Sequence, residues 1–152
     1  VLERLNFLVD EVGDLNSKLV LVVGQPRSGK TRLLNALAKG RHMGVVNVGA
    51  VLGRLLLEVP GPRRHAGASR LFKEVADVHA AEGIVLLDNI ELLFDRSLLL
   101  NPLDLLKRQA HVRRVVAVWP GGFSDNRLTY ATMGHPEYQD YGIDGLVPFK
   151  TN

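Results

Sequence analysis

Gly24-Gln25-Pro26-Arg27-Ser28-Gly29-Lys30-Thr31 has the spacing G-x-x-x-x-G-K-T. Those residue types at that spacing suit the capture of a phosphate chain. Backbone N–H groups close around an anion only where no Cβ obstructs the loop, which Gly24 and Gly29 provide. A helix opening near Ser28 adds its positive end. Lys30 brings a mobile point charge for β and γ phosphates. Thr31 offers a hydroxyl to Mg²⁺, a cation that keeps several waters and needs few protein ligands. The candidate binding segment for ATP with Mg²⁺ therefore runs from Gly24 to Thr31 and includes Arg32.

A second chemical group lies 58 positions beyond Lys30. Ile84-Val85-Leu86-Leu87 is an apolar run that delivers Asp88, a carboxylate able to hold Mg²⁺ through a water. The plainer reading is an Asp that starts a turn after a buried strand. Hydrolysis needs a group that orients water, and many ATPases of this kind place a Glu directly after that Asp. Here the position is Asn89, which holds water by hydrogen bonding but takes no proton. Glu91 is the nearest replacement carboxylate, with an alternative role as a first-turn helix acid stabilised by the dipole.

The elements that must position these residues follow from periodicity. Leu2, Leu5, Leu8, Val9 and Val12 space as one face of a leading helix over residues 1–13, with Phe7 off the stripe. Lys18 to Val23 reads as the strand that feeds the loop, and Leu33, Leu34 and Leu37 mark its helix. Val45 to Val48 is a second strand, followed by a helix from Gly49 to about Val59. Pro60 to Ala68 reads as a loop carrying Arg63, Arg64 and His65, with Ser69 the expected cap of the next helix. Asn101-Pro102-Leu103-Asp104 combines an N-cap, a first-position Pro and an early acid, predicting a helix to about His111. Arg114 to Trp119 is a fourth strand. Gly145 to Phe149 is a short fifth, at an edge because of Pro148.

Strand and helix in alternation imply an α/β fold with a five-stranded, mostly parallel sheet and helices on both faces. With the phosphate loop, this is the pattern of a P-loop NTPase with an AAA-like core. The 152 residues leave no room for a helical lid and describe a single domain. The site is expected at the C-terminal ends of the strands. No apolar run approaches the roughly 18 residues of a membrane span, and no signal-peptide pattern or Cys is present. A cytoplasmic setting is the expectation. The net charge of +3 favours phosphate, nucleic acid or acidic partners without choosing among them.

Residues 120–144 read as a long polar segment with no apolar periodicity that would fix a helix, and loops of this length are usually functional or disordered. Arg127, Tyr130, Tyr138 and Tyr141 give it the composition of an interface. Arg127 is a candidate arginine finger for a neighbour's nucleotide, in competition with Arg27, Arg32, Arg96, Arg113 and Arg114. Trp119 and Pro120 stand at the fourth strand's tip, where AAA-type ATPases often carry a polar residue. Here Trp119 reads as a core-edge residue. His135 and Glu137 are too isolated to read as a metal site. Arg63, Arg64 and Arg70 form either a phosphate-contacting patch for DNA or a solvated basic loop.

Leu15 to Val20, Leu86-Leu87-Asp88-Asn89-Ile90-Glu91-Leu92-Leu93-Phe94, Ala117-Val118-Trp119-Pro120-Gly121, Leu128-Thr129-Tyr130 and His135-Pro136-Glu137-Tyr138 together resemble the BrxF family of small P-loop proteins from BREX phage-defence systems. The likeness spans nearly the whole chain. It implies a bacterial antiviral-defence component of AAA-like character, working beside a methyltransferase, a phosphatase-like protein and a larger ATPase. The resulting expectation is an ATP-binding protein, a possible slow ATPase, whose homo-oligomerisation is controlled by nucleotide. Two rival classes are a nucleoside or small-molecule kinase, with Arg63 and Arg64 as its lid, and an adaptor that binds DNA or defence partners.

Overall fold

Apolar runs too continuous for a sheet with one wet face need a sheet covered on both sides. The computed structural model, which describes residues 1–131 and 134–151, has such a sheet. Its strands are β1 (Leu19–Val23), β2 (Val46–Asn47), β3 (Ile84–Asp88), β4 (Arg114–Val118) and β8 (Val147–Lys150). They lie in the order β2-β3-β4-β1-β8, and every pair is parallel. The expected mostly parallel sheet is thus wholly parallel. Pro148 sits on the β8 edge, where a missing N–H costs no ladder bond.

Alternation along β1 divides the interior into two cores. Val20 and Val22 pack with Leu5 and Val9 of α1 (Leu2–Glu11) and Leu34 and Leu37 of α2 (Lys30–Gly40). Leu19, Leu21 and Val23 face α3 (Val48–Leu57), α4 (Arg64–His79) and α5 (Pro102–Gln109). Helices therefore cover both faces. Phe7, off the apolar stripe, is 66% exposed. The predicted cap at α5 is present, with Asn101 Oδ1 accepting from the Asp104 N–H at 3.1 Å.

Two expectations are corrected. The loop placed at 60–68 is mostly helix: a 3₁₀ turn over Gly61–Arg63 leads into α4 at Arg64, so Ser69 lies inside the helix rather than at its cap. Arg64 Nε donates to the carbonyls of Leu56, in the last turn of α3, and of Val59, just beyond it, at 2.9 and 3.1 Å, and Ala68 is buried. Of the basic residues there, Arg64 is engaged by these carbonyls and Arg70 is paired to Glu74.

The second correction concerns the 120–144 segment. Instead of a loop it forms an antiparallel sheet of β5 (Gly122–Ser124), β6 (Arg127–Tyr130) and β7 (Gln139–Tyr141), in the order β5-β6-β7. Asp125 and Asn126, both at positive φ (52° and 57°), make the two-residue turn whose twist matches paired strands. Aromatic packing fastens this sheet to the larger core. Phe94 stacks on Tyr130 with centroids 3.8 Å apart, while Trp119 meets Phe94 and Tyr141 edge-on at 5.5 and 5.8 Å. Trp119 is fully buried, as its core-edge reading requires, and its indole N–H donates to the Thr129 carbonyl at 3.0 Å. Among the described residues no helix is long and apolar enough to cross a membrane.

At Gly121, where the chain enters β5, the backbone runs so close to β6 that a Cβ would lie 1.7 Å from the Thr129 carbonyl oxygen, with backbone rather than a movable side chain in the way. Gly121→Ala should lower the unfolding free energy by about 1–3 kcal/mol. Gly40→Ala, with nothing within 4 Å of its new methyl, should leave it unchanged or raise it slightly. Urea unfolding midpoints of the two variants check this.

Candidate functional site

The groups singled out in the sequence gather at the C-terminal edge of the parallel sheet. β1 ends at Val23 and the chain turns through Gly24–Gly29 into α2. Two glycines are needed there for different reasons. Gly29 caps α2 in the left-handed region at φ 91°. Gly24 passes so near the end of β8 that a Cβ would fall 2.3 Å from Thr151 Oγ1 and 2.7 Å from Ser28 Oγ. Arg27 also sits at positive φ (63°), and the Ser28 N–H donates to the Gln25 carbonyl at 3.1 Å. No side chain caps the start of α2, so its leading N–H groups point out of the helix without a capping oxygen.

Lys30 Nζ folds back to donate to the Gly24 carbonyl at 3.0 Å. Burial depresses its pKa, and the Asp88 and Glu91 carboxylates work against that depression, with Glu91 the stronger of the two. These carboxylates, Lys30, Thr31 and Asn89 line one cavity of about 390 Å³. The predicted Lys30–Thr31 pair, Asp88, Asn89 and Glu91 are thus brought together across residues distant in sequence.

Strand β3 carries this carboxylate edge. Asp88 ends it, and its Oδ1 accepts from the Asn89 N–H at 2.8 Å. Asn89 takes a left-handed conformation (φ 54°, ψ 54°), accessible to Asn more readily than to most residues. The chain then turns through the 3₁₀ segment Ile90–Phe94, with Ile90, Leu93 and Phe94 buried and Glu91 exposed toward the cavity. Asn47, which the sequence reading passed over, holds the corner. Its Oδ1 accepts from the Ala50 N–H at 3.0 Å, capping α3, and from Asn89 Nδ2 at 2.8 Å. The Gly49 N–H donates to the Asn89 carbonyl at 3.0 Å. The Asn89 amide is therefore engaged by the neighbouring strand end. An Asn just before an apolar helix was the available signal for this cap.

Other predicted residues lie apart. Arg32, Ser28 and Gly29 border a different hollow, beside Val1 and Thr151. Arg127 is on β6, where its Nε donates to Asp140 Oδ1 of β7 at 3.0 Å, and it does not line the cavity with Lys30 and Thr31. His135 Nδ1 accepts from the Glu137 N–H at 3.0 Å. Among the described residues no three His, Cys, Asp or Glu side chains form a metal-holding group. A second residue missed in the sequence is Thr151, nearly buried, whose hydroxyl lies 2.9 Å from Ser28 Oγ and 3.4 Å from the Val23 carbonyl. Its role comes from β8 lying alongside β1, which no local pattern announces.

No known protein family, curated protein or solved structure matches the chain.

Removing the Asn47 side chain leaves the Ala50 N–H and the Asn89 amide without their acceptor. Asn47→Ala is expected to destabilise by about 1–2 kcal/mol. Asn47→Ser should cost less, because Ser still caps α3 but is too short to reach Asn89. In urea unfolding, the loss from wild type to Asn47→Ser reads the Asn47–Asn89 bond, and the further loss from Asn47→Ser to Asn47→Ala reads the cap on α3.

Proposed function

We propose that the chain is a P-loop nucleotide-binding protein with an AAA-like core, binding ATP and Mg²⁺ and hydrolysing ATP slowly. One observation carries this reading: Lys30, Thr31, Asp88 and Glu91 share a cavity at the mouth of the Gly24–Gly29 loop. The strand order supports it, since ligands of open α/β sheets bind outside the carboxyl ends of the strands.

The donor set fits the proposed cofactors. The Thr31 hydroxyl and Asp88 carboxylate suit a hard cation that keeps most of its waters, rather than one that needs a full protein cage. When bound, Mg²⁺ would neutralise charge on the phosphates. The uncapped N–H groups of α2 and the loop N–H groups would cradle the phosphates. Lys30 would exchange its contact with the Gly24 carbonyl for a phosphate oxygen. Glu91 is the carboxylate of this cavity free to accept a proton from water, because Asp88 belongs to the cation and Asn89 has no proton-accepting group. Its position two residues beyond the usual place accounts for a slow rate.

The broader setting rests on the sequence resemblance to BrxF, of which the segments Leu86–Phe94 and Ala117–Gly121 lie at this edge of the sheet. In that setting the chain acts in bacterial antiviral defence and assembles as a nucleotide-controlled homo-oligomer beside other defence proteins.

Lys30→Ala should weaken binding of Mg·ATP and Mg·ADP by about tenfold or more, the loss of one charge-assisted contact. Calorimetric titration measures it, and unchanged affinity would sink the reading. Glu91→Gln should retain ATP affinity while phosphate release falls by about a hundredfold. Mass photometry with and without Mg·ATP tests the assembly, which Lys30→Ala should abolish.

A further inference from the structure

Lys30 stands at the boundary of two cavities with opposite electrostatic character. On one side are the carboxylates Asp88 and Glu91. On the other, between the glycine loop and the antiparallel sheet, is a hollow of about 490 Å³ bordered by Gly24, Gln25, Lys30, Gly121, Phe123 and Lys150, with no Asp or Glu among the described residues that line it. We propose that a nucleoside triphosphate places its terminal phosphate at Lys30, where the two hollows meet, with Lys150 of the second hollow as an in-cis cation on the side away from Asp88 and Glu91. The proposal rests on the nucleotide-binding reading above and deepens it.

Strand register explains how Lys150 reaches this place. Lys150 is paired with Val23, the last residue of β1 before the loop. Phe149 turns into the core shared with α1 and α2, so alternation sends Lys150 to the opposite face, the face covered by the antiparallel sheet. There its ammonium lies 6.0 Å from the Phe123 ring centroid. The next residue, Thr151, turns back toward Ser28. Two adjacent residues thus brace the loop from behind and line the hollow in front.

The charges favour an anion at this point. Lys150 forms no ion pair among the described residues, and its exposed stem leaves the ammonium able to swing. A divalent cation is drawn to the Asp88 and Glu91 side, and a terminal phosphate at Lys30 then has that cation on one side and the Lys150 ammonium on the other. Arg127, the sequence candidate for this duty, is held by Asp140 and does not border either hollow. Lys150 makes a neighbour's arginine unnecessary for reading the terminal phosphate, and it makes ATP and ADP distinguishable within one subunit.

The test compares Mg·ATP and Mg·ADP affinities of the wild-type chain, Lys150→Gln, Lys150→Arg and Lys30→Ala by calorimetric titration. It is repeated by fluorescent-nucleotide competition at hundredfold lower protein concentration. Lys150→Gln should weaken ATP binding about tenfold while changing ADP binding less than about twofold, and Lys150→Arg should restore most of the ATP affinity. That selective loss should be the same at both protein concentrations. Equal effects on both nucleotides, no effect on either, or a selectivity that disappears on dilution would overturn the assignment of Lys150. Failure of Lys30→Ala to weaken either nucleotide would instead overturn the nucleotide site itself.

Discussion

The parallel pairing of β1 with β4 on one edge and β8 on the other is the constraint on which the rest depends. β1 is buried along its whole length, hydrogen-bonded on both edges, and packed by a separate core on each face. Its C-terminal end can therefore project the glycine loop only between the tips of β4 and β8. Neighbouring residues acquire their positions from that register: Lys150 opposite Val23, and Val118 opposite Val22. Buried backbone groups with no water to turn to make slippage of this ladder costly, and a slip by one residue would exchange the two faces.

The antiparallel sheet is coupled to the same edge through ring packing. Phe94 closes the 3₁₀ turn that carries Glu91, and it stacks on Tyr130 of β6 while touching Trp119 at the end of β4. Trp119 is anchored in turn by the Thr129 carbonyl. The Glu91 turn is thus clamped between the two sheets. Tyr130 registers the same proximity: burial raises its pKa, and the negative charges of Glu137 and Glu91 add to the effect. Close-packed rings thus connect β5–β7 to the turn that carries Glu91.

Electrostatic sorting across Lys30 is the third consequence of this layout. Carboxylates arrive from β3 and its following turn, and the second lysine from β8, so the two signs approach the loop from opposite sides. Lys30 stands between them, its charge favoured by Glu91 and Asp88 on the side of β3. Asn89, uncharged and hydrogen-bonded to Asn47, keeps β2 and β3 ends together without adding to either charge.

Local chemistry made much of this legible from the residues in order. The glycine loop, the apolar runs of β1, β3 and β4, the α1 stripe and the Asn101 cap each depend on neighbours within a few positions. The same holds for the edge placement of Pro148. The start of α4 is not legible locally, because Pro and Gly near 60–62 signal a turn, whereas Arg64 binds the Leu56 and Val59 carbonyls at the helix boundary. The small antiparallel sheet had a local sign in Asp125-Asn126, but its strands are only three or four residues long and gain their stability from Trp119 and Phe94. The sequence by itself determined the loop, the carboxylate that faces it and the alternation of strand and helix. Tertiary structure alone decided that Asn47 holds Asn89, that Thr151 braces Ser28, that Arg127 pairs with Asp140 and that Lys150 joins Lys30. Each of those contacts is set by strand pairing or sheet packing across the chain, and periodicity within one segment carries no information about which segment lies beside it.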